Sequence, residues 1–438
     1  MMKNKSSKVL RPDPIRQLSR RAALSHGQPI SQLMSHALAN PSLISLAAGF
    51  VDQQSLPCQA TADAFQAMCA NQDALREALQ YGTTSGYPPL REAILDRFQV
   101  QDSLSEAEAA PLDIDRVVLT AGSNQLLQLV AETLLDPGDV VLCSSPTYFV
   151  FMGTLHNLSV QTEGIETDEA GMIPEALEDR LLHWQREGQL SRIKAIYLIS
   201  YFDNPRGVSL AAERRQQIVE ICHRFSVHHH IYLLDDLAYR ELRYEGDDTP
   251  SLIHYDPTTE HVIAAGTFSK SYSPGVRVGW GILPADLVEP VCNQKGNIDF
   301  GSPNFNQHLM HHVLQVGLLD AHIERIRVAY RIKRDAMLQA ADSWLAPLSD
   351  VTWIRPQGGL YVWLELPEQI DAGLEGRLFE RAIAEGVIYV PGEYSFPETG
   401  IPARQNTLRL SFGVQTPERI EQGVQALARA IAQTIQEV

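Results

Sequence analysis

The chain lacks the features that would mark several broad classes of protein. It has no basic run: 36 Lys and Arg stand against 53 Asp and Glu, a formal charge of −17 over 438 residues. An acidic chain without a basic cluster is repelled by nucleic acid and by anionic membranes, so any phosphorylated ligand must be met by a local arrangement of groups. It has no apolar run near the roughly 20 residues that a membrane span needs. Its opening, MMKNKSSKVLRPDP, carries charge but no apolar stretch, which argues against a secretory leader. Its five cysteines (Cys58, Cys69, Cys143, Cys222, Cys292) are scattered and never spaced as CxxC. That argues against a disulfide framework and a zinc site, and leads to the expectation of reduced thiols in a cytoplasmic protein. No internal repeat or low-complexity block is present. What remains is ordinary globular composition, 44% hydrophobic and 20% charged. The length suits about two or three domains.

Residues 88–99, PPLREAILDRFQ, open with proline and keep helical spacing; 123–135, SNQLLQLVAETLL, read as a helix stopped by Pro137 and Gly138. RVVLTAG (116–122), DVVLCSS (139–145), IKAIYLIS (193–200), HIYLLDD (230–236) and HVIAAGT (261–267) are short apolar runs, each fitting a strand buried on both faces. Helical stretches such as 209–225 lie between most of them. This alternation predicts an α/β fold, a three-layer α/β/α large domain around a mostly parallel sheet. Beyond about 304 the pattern changes to a long helix over 320–345, short strands in VTWIRP, LYVWLELP and LRLSFG, and helices over 374–385 and 416–436. The expected division is an N-terminal arm over 1–40, a large domain over 61–319, and a small α+β domain built by both chain ends, 41–60 with 320–438.

In such sheets ligands bind outside the carboxyl ends of the strands. Lys270 follows HVIAAGTF at such an end. A lysine there is costly to bury unless it is neutral, paired or covalently modified. It reads either as a Schiff-base lysine of depressed pKa or as a snorkelling surface lysine. Thr267, Ser269 and Arg277 are near enough in the chain to converge on one phosphate, and Gly122-Ser123-Asn124 opens a helix whose free N–H groups suit an anion. Asp236 ends HIYLLDD, where a carboxylate suits a protonated ring nitrogen; Tyr239 and Asn204 are placed to donate to a ring oxygen. Each has a plainer alternative: helix caps for Ser123 and Asp236, a core aromatic for Tyr239, a turn before Pro205 for Asn204. The run His228–His230 and the pair His308 and His312 lack an accompanying Glu base or Cys, so burial or surface roles are expected and no metal site.

Taken in order, these residues make the chain resemble the fold-type I, class I/II pyridoxal-phosphate aminotransferases, over about residues 35–435. The motifs are SLAAGF (45–50), LQYGTTSGYPPLRE (79–92), LTAGSNQ (119–125), SSPTYF (144–149), DNPRG (203–207), DDLAY (235–239), TFSKSYSPGVRVGW (267–280), PQGGLYVWLELP (356–367), VPGEYSF (390–396) and LRLSFG (408–413). The likeness is greatest to the aminoadipate/kynurenine and multi-substrate aromatic branch. It implies pyridoxal 5'-phosphate (PLP) as cofactor, with Lys270 as its Schiff-base lysine and Asp236 as partner of the ring nitrogen. Tyr239 and Asn204 are then expected on the pyridoxal 3-oxygen, Tyr148 on the ring face, and Ser123, Asn124, Thr267, Ser269 and Arg277 around the phosphate. Arg409, assisted by Asn204, grips the substrate α-carboxylate, with Gly49 also against the substrate. The resemblance further implies a homodimer with shared active sites, Tyr81 reaching the neighbour's phosphate. The activity implied is ping-pong transfer of an amino group from an L-amino acid (aromatic, branched or aminoadipate-like) to a 2-oxo acid, without nucleic-acid or membrane partners.

Two positions depart from the family pattern. Phe50 stands where many relatives have a second glycine, and Arg206 takes the usual Thr or Ser position on a loop expected in solvent. The further arginine that some relatives use for dicarboxylates has no recognisable counterpart; Arg16, Arg20 and Arg21 are expected as solvated charges. Rival readings are a PLP-dependent carbon–sulfur lyase or cyclopropane-forming synthase, and a ligand-sensing regulator with an aminotransferase-like domain. About 40 residues ahead of the pattern are too few for a winged helix and linker.

Overall fold

Short runs of β-branched and leucine residues bounded by turn signals form strands covered on both faces. The structure is a computed structural model and describes residues 19–25, 40 and 42–437. After β1 (Ile44–Ser45) come β2 (Val117–Thr120), β3 (Val140–Ser144) and β4 (Gln161–Ile165). A small hairpin, β5 (Thr167–Asp168) and β6 (Gly171–Met172), leads to β7 (Ile193–Ile199), β8 (Tyr232–Asp236), β9 (Val262–Thr267) and β10 (Gly279–Ile282). Beyond them lie β11 (Thr352–Trp353), β12 (Tyr361–Glu365), β13 (Val387–Ile388), β14 (Val390–Pro391) and β15 (Thr407–Ser411).

Seven strands make the central sheet in the order β2-β10-β9-β8-β7-β3-β4, with helices on both sides. Residues of β2, β3 and β8 are buried throughout, as unbroken apolar runs require. All pairings are parallel except those of β10, which is antiparallel to both β2 and β9. The carboxyl ends of β2, β3, β7, β8 and β9 therefore open on one edge. A second, antiparallel sheet has the order β11-β12-β15-β14, and the long helix Leu318–Trp344 packs on the helix Pro417–Ile435.

The segment after β1 is tied to this second sheet. Ile44 and Ser45 pair in parallel with Val387 and Ile388. Leu46 then donates to Ile388 (2.9 Å) and accepts from Ser411 of β15 (2.7 Å). Further on, Asp52 is held by Lys333 at 3.0 Å and by the Tyr330 hydroxyl, which accepts from its N–H at 2.9 Å. Both anchors fix Gly49 and Phe50 between them. Arg16 and the Arg20 side chain lie outside the described residues, as does most of the expected arm. Arg21 is exposed and pairs with Glu132.

Candidate active site

The reversal between β9 and β10 builds one end of the site. Because β10 runs back between β9 and β2, Gly279 pairs with Thr267 on one side and Thr120 on the other. The connection carries Ser269, Lys270 and Arg277 to the mouth of the sheet beside the helix Ser123–Leu134. Two glycines permit the approach. A Cβ at Gly279 would lie 2.5 Å from the Ser123 nitrogen, and one at Gly122 (φ +85°) would lie 2.6 Å from Arg277 Nη2. Gly122, not Ser123, is the N-cap, and no side chain caps this helix, so its first N–H groups face the cavity's anion end uncapped. Arg277 donates to the Ala121 carbonyl at 2.8 Å, and Thr267 Oγ1 donates to Ser269 Oγ at 2.9 Å. Hydroxyls, a helix N-terminus and a guanidinium thus converge, as a phosphate requires.

At the other end Asp236 is buried, accepting from Ala238 N–H (3.0 Å) and the Tyr197 hydroxyl (3.1 Å). Burial pushes its carboxyl up to about 6 against these two donors, and neighbouring Asp235 adds to the rise. Such a carboxylate lacks a cation and suits a protonated ring nitrogen. Between the two ends, Lys270 Nζ donates to the Gly49 carbonyl at 2.8 Å. Burial lowers its pKa, and the charges of Arg409 and Arg277 act the same way against an opposing effect of Tyr361. A free amine is the form needed for a Schiff base and for proton transfer. Tyr148 lines the cavity, hydrogen-bonded to Asn124, its phenol pushed up to about 12 by burial.

Arg409 projects from β15. Its Nη1 donates to Asn204 Oδ1 (2.7 Å) and its Nη2 to the Ala47 carbonyl (2.9 Å), while its buried Nε has no partner among the described residues. A buried guanidinium with no carboxylate of its own suits a carboxylate ligand. One cavity of about 340 Å³ is lined by Gly49, Ser123, Asn124, Tyr148, Asn204, Asp236, Tyr239, Thr267, Ser269, Lys270, Arg277 and Arg409. Of the residues assigned to the site from sequence, Tyr81 alone is elsewhere: it is 82% exposed, edge-on to Phe300. The donor set fits PLP, with an anion cup, a ring-nitrogen carboxylate, an aromatic face and an amine between them.

Two corrections follow. Arg206 is not in solvent but only 7% exposed, donating to Thr167 Oγ1 and to the Asp168 carbonyl (2.7 Å). The turn from Asp203 to Gly207 closes on itself (Gly207 N–H to Asp203 O, 2.7 Å) and presents Arg206 to the β5–β6 hairpin. Tyr361, read only as part of a strand, lines the cavity, with its hydroxyl 3.1 Å from that of Tyr239. Of the histidines set aside as non-metal, His308 stacks on Tyr87 at 3.7 Å and His230 on His261 at 4.1 Å.

Comparison with known proteins agrees with this geometry. The aromatic-amino-acid aminotransferase 1 of Thermococcus litoralis is 32% identical over 389 residues, 89% of this chain and 88% of that protein. The crystal structure of the multiple substrate aminotransferase from Thermococcus profundus superposes with a TM-score of 0.86 at 32% identity, covering 96% of this chain and 98% of that one. The α-aminoadipate aminotransferase of Thermus thermophilus, solved with N-(5'-phosphopyridoxyl)-L-leucine, gives 0.83 at 29% identity, covering 97% and 99%. The family model for aminotransferase class I and II matches residues 41–427. The chain belongs to this family, as a fold-type I, PLP-dependent amino-acid aminotransferase of the aromatic, aminoadipate and kynurenine branch.

Proposed function

We propose that the protein moves the amino group of an L-amino acid with an aromatic, branched or aminoadipate-like side chain to a 2-oxo acid such as 2-oxoglutarate or pyruvate, in two half-reactions at one site. The observation that carries this reading is the shared cavity of Lys270 and Arg409, an amine and a carboxylate grip placed around one substrate Cα. Bound there, PLP would supply an electron sink next to that carbon. Arg409, steadied by Asn204 and Ala47, holds the α-carboxylate and fixes which Cα bond stands across the ring. Lys270 Nζ takes the Cα proton and returns it on the other side of the transfer. Asp236 would keep a proton on the ring nitrogen, Tyr239 and Asn204 would hold the 3-oxygen, and Tyr148 would cover the ring. Ser123, Asn124, Thr267, Ser269 and Arg277 would anchor the phosphate. Gly49 lends its carbonyl to the Lys270 amine and lies against the substrate.

The side-chain preference is supported by Phe50, Tyr148 and Phe149 on the cavity wall, where the cations are already engaged as Lys270, Arg277 and Arg409. A donor panel tests it: kcat/KM for phenylalanine, tyrosine, leucine and aminoadipate should match or exceed that for aspartate. Aspartate above all of them by more than about tenfold, or roughly 1.4 kcal/mol, overturns the preference. The same reading makes the working unit a cytoplasmic homodimer, with Tyr81 serving the neighbour's phosphate; its exposed side chain, away from its own cavity, supports this. The pairing of 44–45 with 387–388 supports a small domain made from 41–60 with 320–438 beside a large one over 61–319.

A further inference from the structure

Tyr361 lines the cavity, and the roles assigned so far leave its hydroxyl without a task. It opens β12, opposite Ser411, while Arg409 sits opposite Trp363. The two side chains are thus diagonal neighbours on one sheet face, which places the Arg409 guanidinium 4.2 Å from the Tyr361 ring centre. The hydroxyl meets that of Tyr239 at 3.1 Å. It lies against Gly49 so closely that a Cβ there would be 2.6 Å from it. The carbonyl of that same Gly49 accepts from Lys270 Nζ. The groups acting on the phenol are Arg409 from β15, Lys270 from the segment after β9 and Tyr239 from the segment after β8, while Tyr148 and the Asp236 carboxylate line the same cavity. Arg409 is a cation, Lys270 is one when protonated, and no carboxylate acts on the phenol directly.

We propose that Tyr361 is a positioning residue that supplies the counter-charge of the ligand-free site through its phenol oxygen, and that a carboxylate docking on Arg409 drives a proton onto that oxygen. This rests on the aminotransferase reading only in naming the ligand. When the ligand is an amino acid, its α-ammonium supplies the proton: one N–H bond breaks, one O–H bond forms, and the amine is left neutral and nucleophilic beside Lys270. The electrostatics agree with the geometry. Burial alone would raise the Tyr361 pKa, but Arg409, Lys270 and the hydrogen bond from Tyr239 outweigh it and lower it. Tyr239 is pushed up by burial and then by Tyr361 itself, so it keeps its proton and donates. A carboxylate on Arg409 removes part of the field that favours the phenolate. By reciprocity, the carboxylate binds more tightly when Tyr361 carries its proton.

The test is an ultraviolet titration of the full-length chain stripped of cofactor, wild type against Tyr361→Phe, with and without phenylpropionate, a carboxylate that has an aromatic tail and no amine. The wild type should show one tyrosinate below the ordinary tyrosine range that Tyr361→Phe lacks. Phenylpropionate should move its midpoint up by about one pH unit, an affinity ratio of about tenfold between the two protonation states. Superimposable titrations, or a midpoint unmoved by ligand, overturn the proposal. Should Tyr361→Phe fail to fold, Arg409→Gln serves: losing the guanidinium should return the tyrosinate to the ordinary range or above, and an unchanged titration refutes the idea. Loss of the amino-transfer reading would leave these curves as they are and appear only in the donor panel.

Discussion

Asp236 is held in an environment that opposes the charge its role requires. Its folded pKa, about 6, lies above the roughly 3.9 of an exposed Asp, so the penalty is absent below about pH 4, grows between the two values and is complete above about 6. The cofactor-free chain should therefore gain from Asp236→Asn: its melting temperature should rise by about 1–3 °C at pH 8, and the gain should vanish near pH 4. Turnover should fall by about a hundredfold or more, since an amide does not hold the ring nitrogen protonated. Equal melting curves at pH 8 would contradict the first expectation, near wild-type turnover the second. Lys270→Ala should lose amino transfer by about two to four orders of magnitude, measured as single-turnover rate, because the proton carrier leaves with the amine. In the wild type, borohydride-reduced cofactor should map to the peptide bearing Lys270. Residues of this kind were legible in the sequence because each follows a buried run, where a polar group is costly without a purpose. Tyr361 was not legible, because a tyrosine at the start of a strand reads equally as core. Arg206 misled because chain position alone did not reveal the hairpin's Thr167 hydroxyl and Asp168 carbonyl that receive it.

Among the elements, the antiparallel strand β10 sets where Arg277 meets the start of the helix Ser123–Leu134, the place proposed for the phosphate. Its neighbours were readable as apolar runs, but GWGI is short and half glycine, and nothing local announces a strand there. Both glycines are dictated by the helix Ser123–Leu134 packed against the strand. A side chain at Gly281 would meet Leu126 at 2.7 Å, and one at Gly279 would press on the start of the helix Ser123–Leu134. Gly279→Ala should push that helix end from Arg277. We expect a loss of about 1–3 kcal/mol in stability and a cofactor dissociation constant raised about tenfold or more, read by equilibrium dialysis. An unchanged dissociation constant would show that the cup does not depend on this contact. The helices Pro88–Gln101 and Ser123–Leu134 matched their sequence patterns within two residues, because helical spacing and Pro or Gly stops act locally.

For the whole molecule, the shared-site proposal predicts complementation between chains. Tyr81→Phe and Lys270→Ala homodimers should each be impaired. Mixed under exchange, they should form hybrids in which one site has both an intact lysine and an intact tyrosine from its neighbour. Activity per intact site should exceed that of the Tyr81→Phe homodimer; a fully active monomer by sedimentation would end the proposal. The pairing of Ile44 with Val387 across more than three hundred residues carries a consequence for biosynthesis. Gly49, whose carbonyl receives the Lys270 amine, is delivered by a strand whose partner leaves the ribosome late. Arg409 emerges later still. The residues proposed for the phosphate, and Asp236, all precede residue 278, so on the proposed assignments a nascent chain carries the cofactor's contacts well before the residue proposed to grip an amino acid. Contacts this distant in sequence close slowly, and the interval between them is one in which the open sheet edge is exposed to chaperones and proteases.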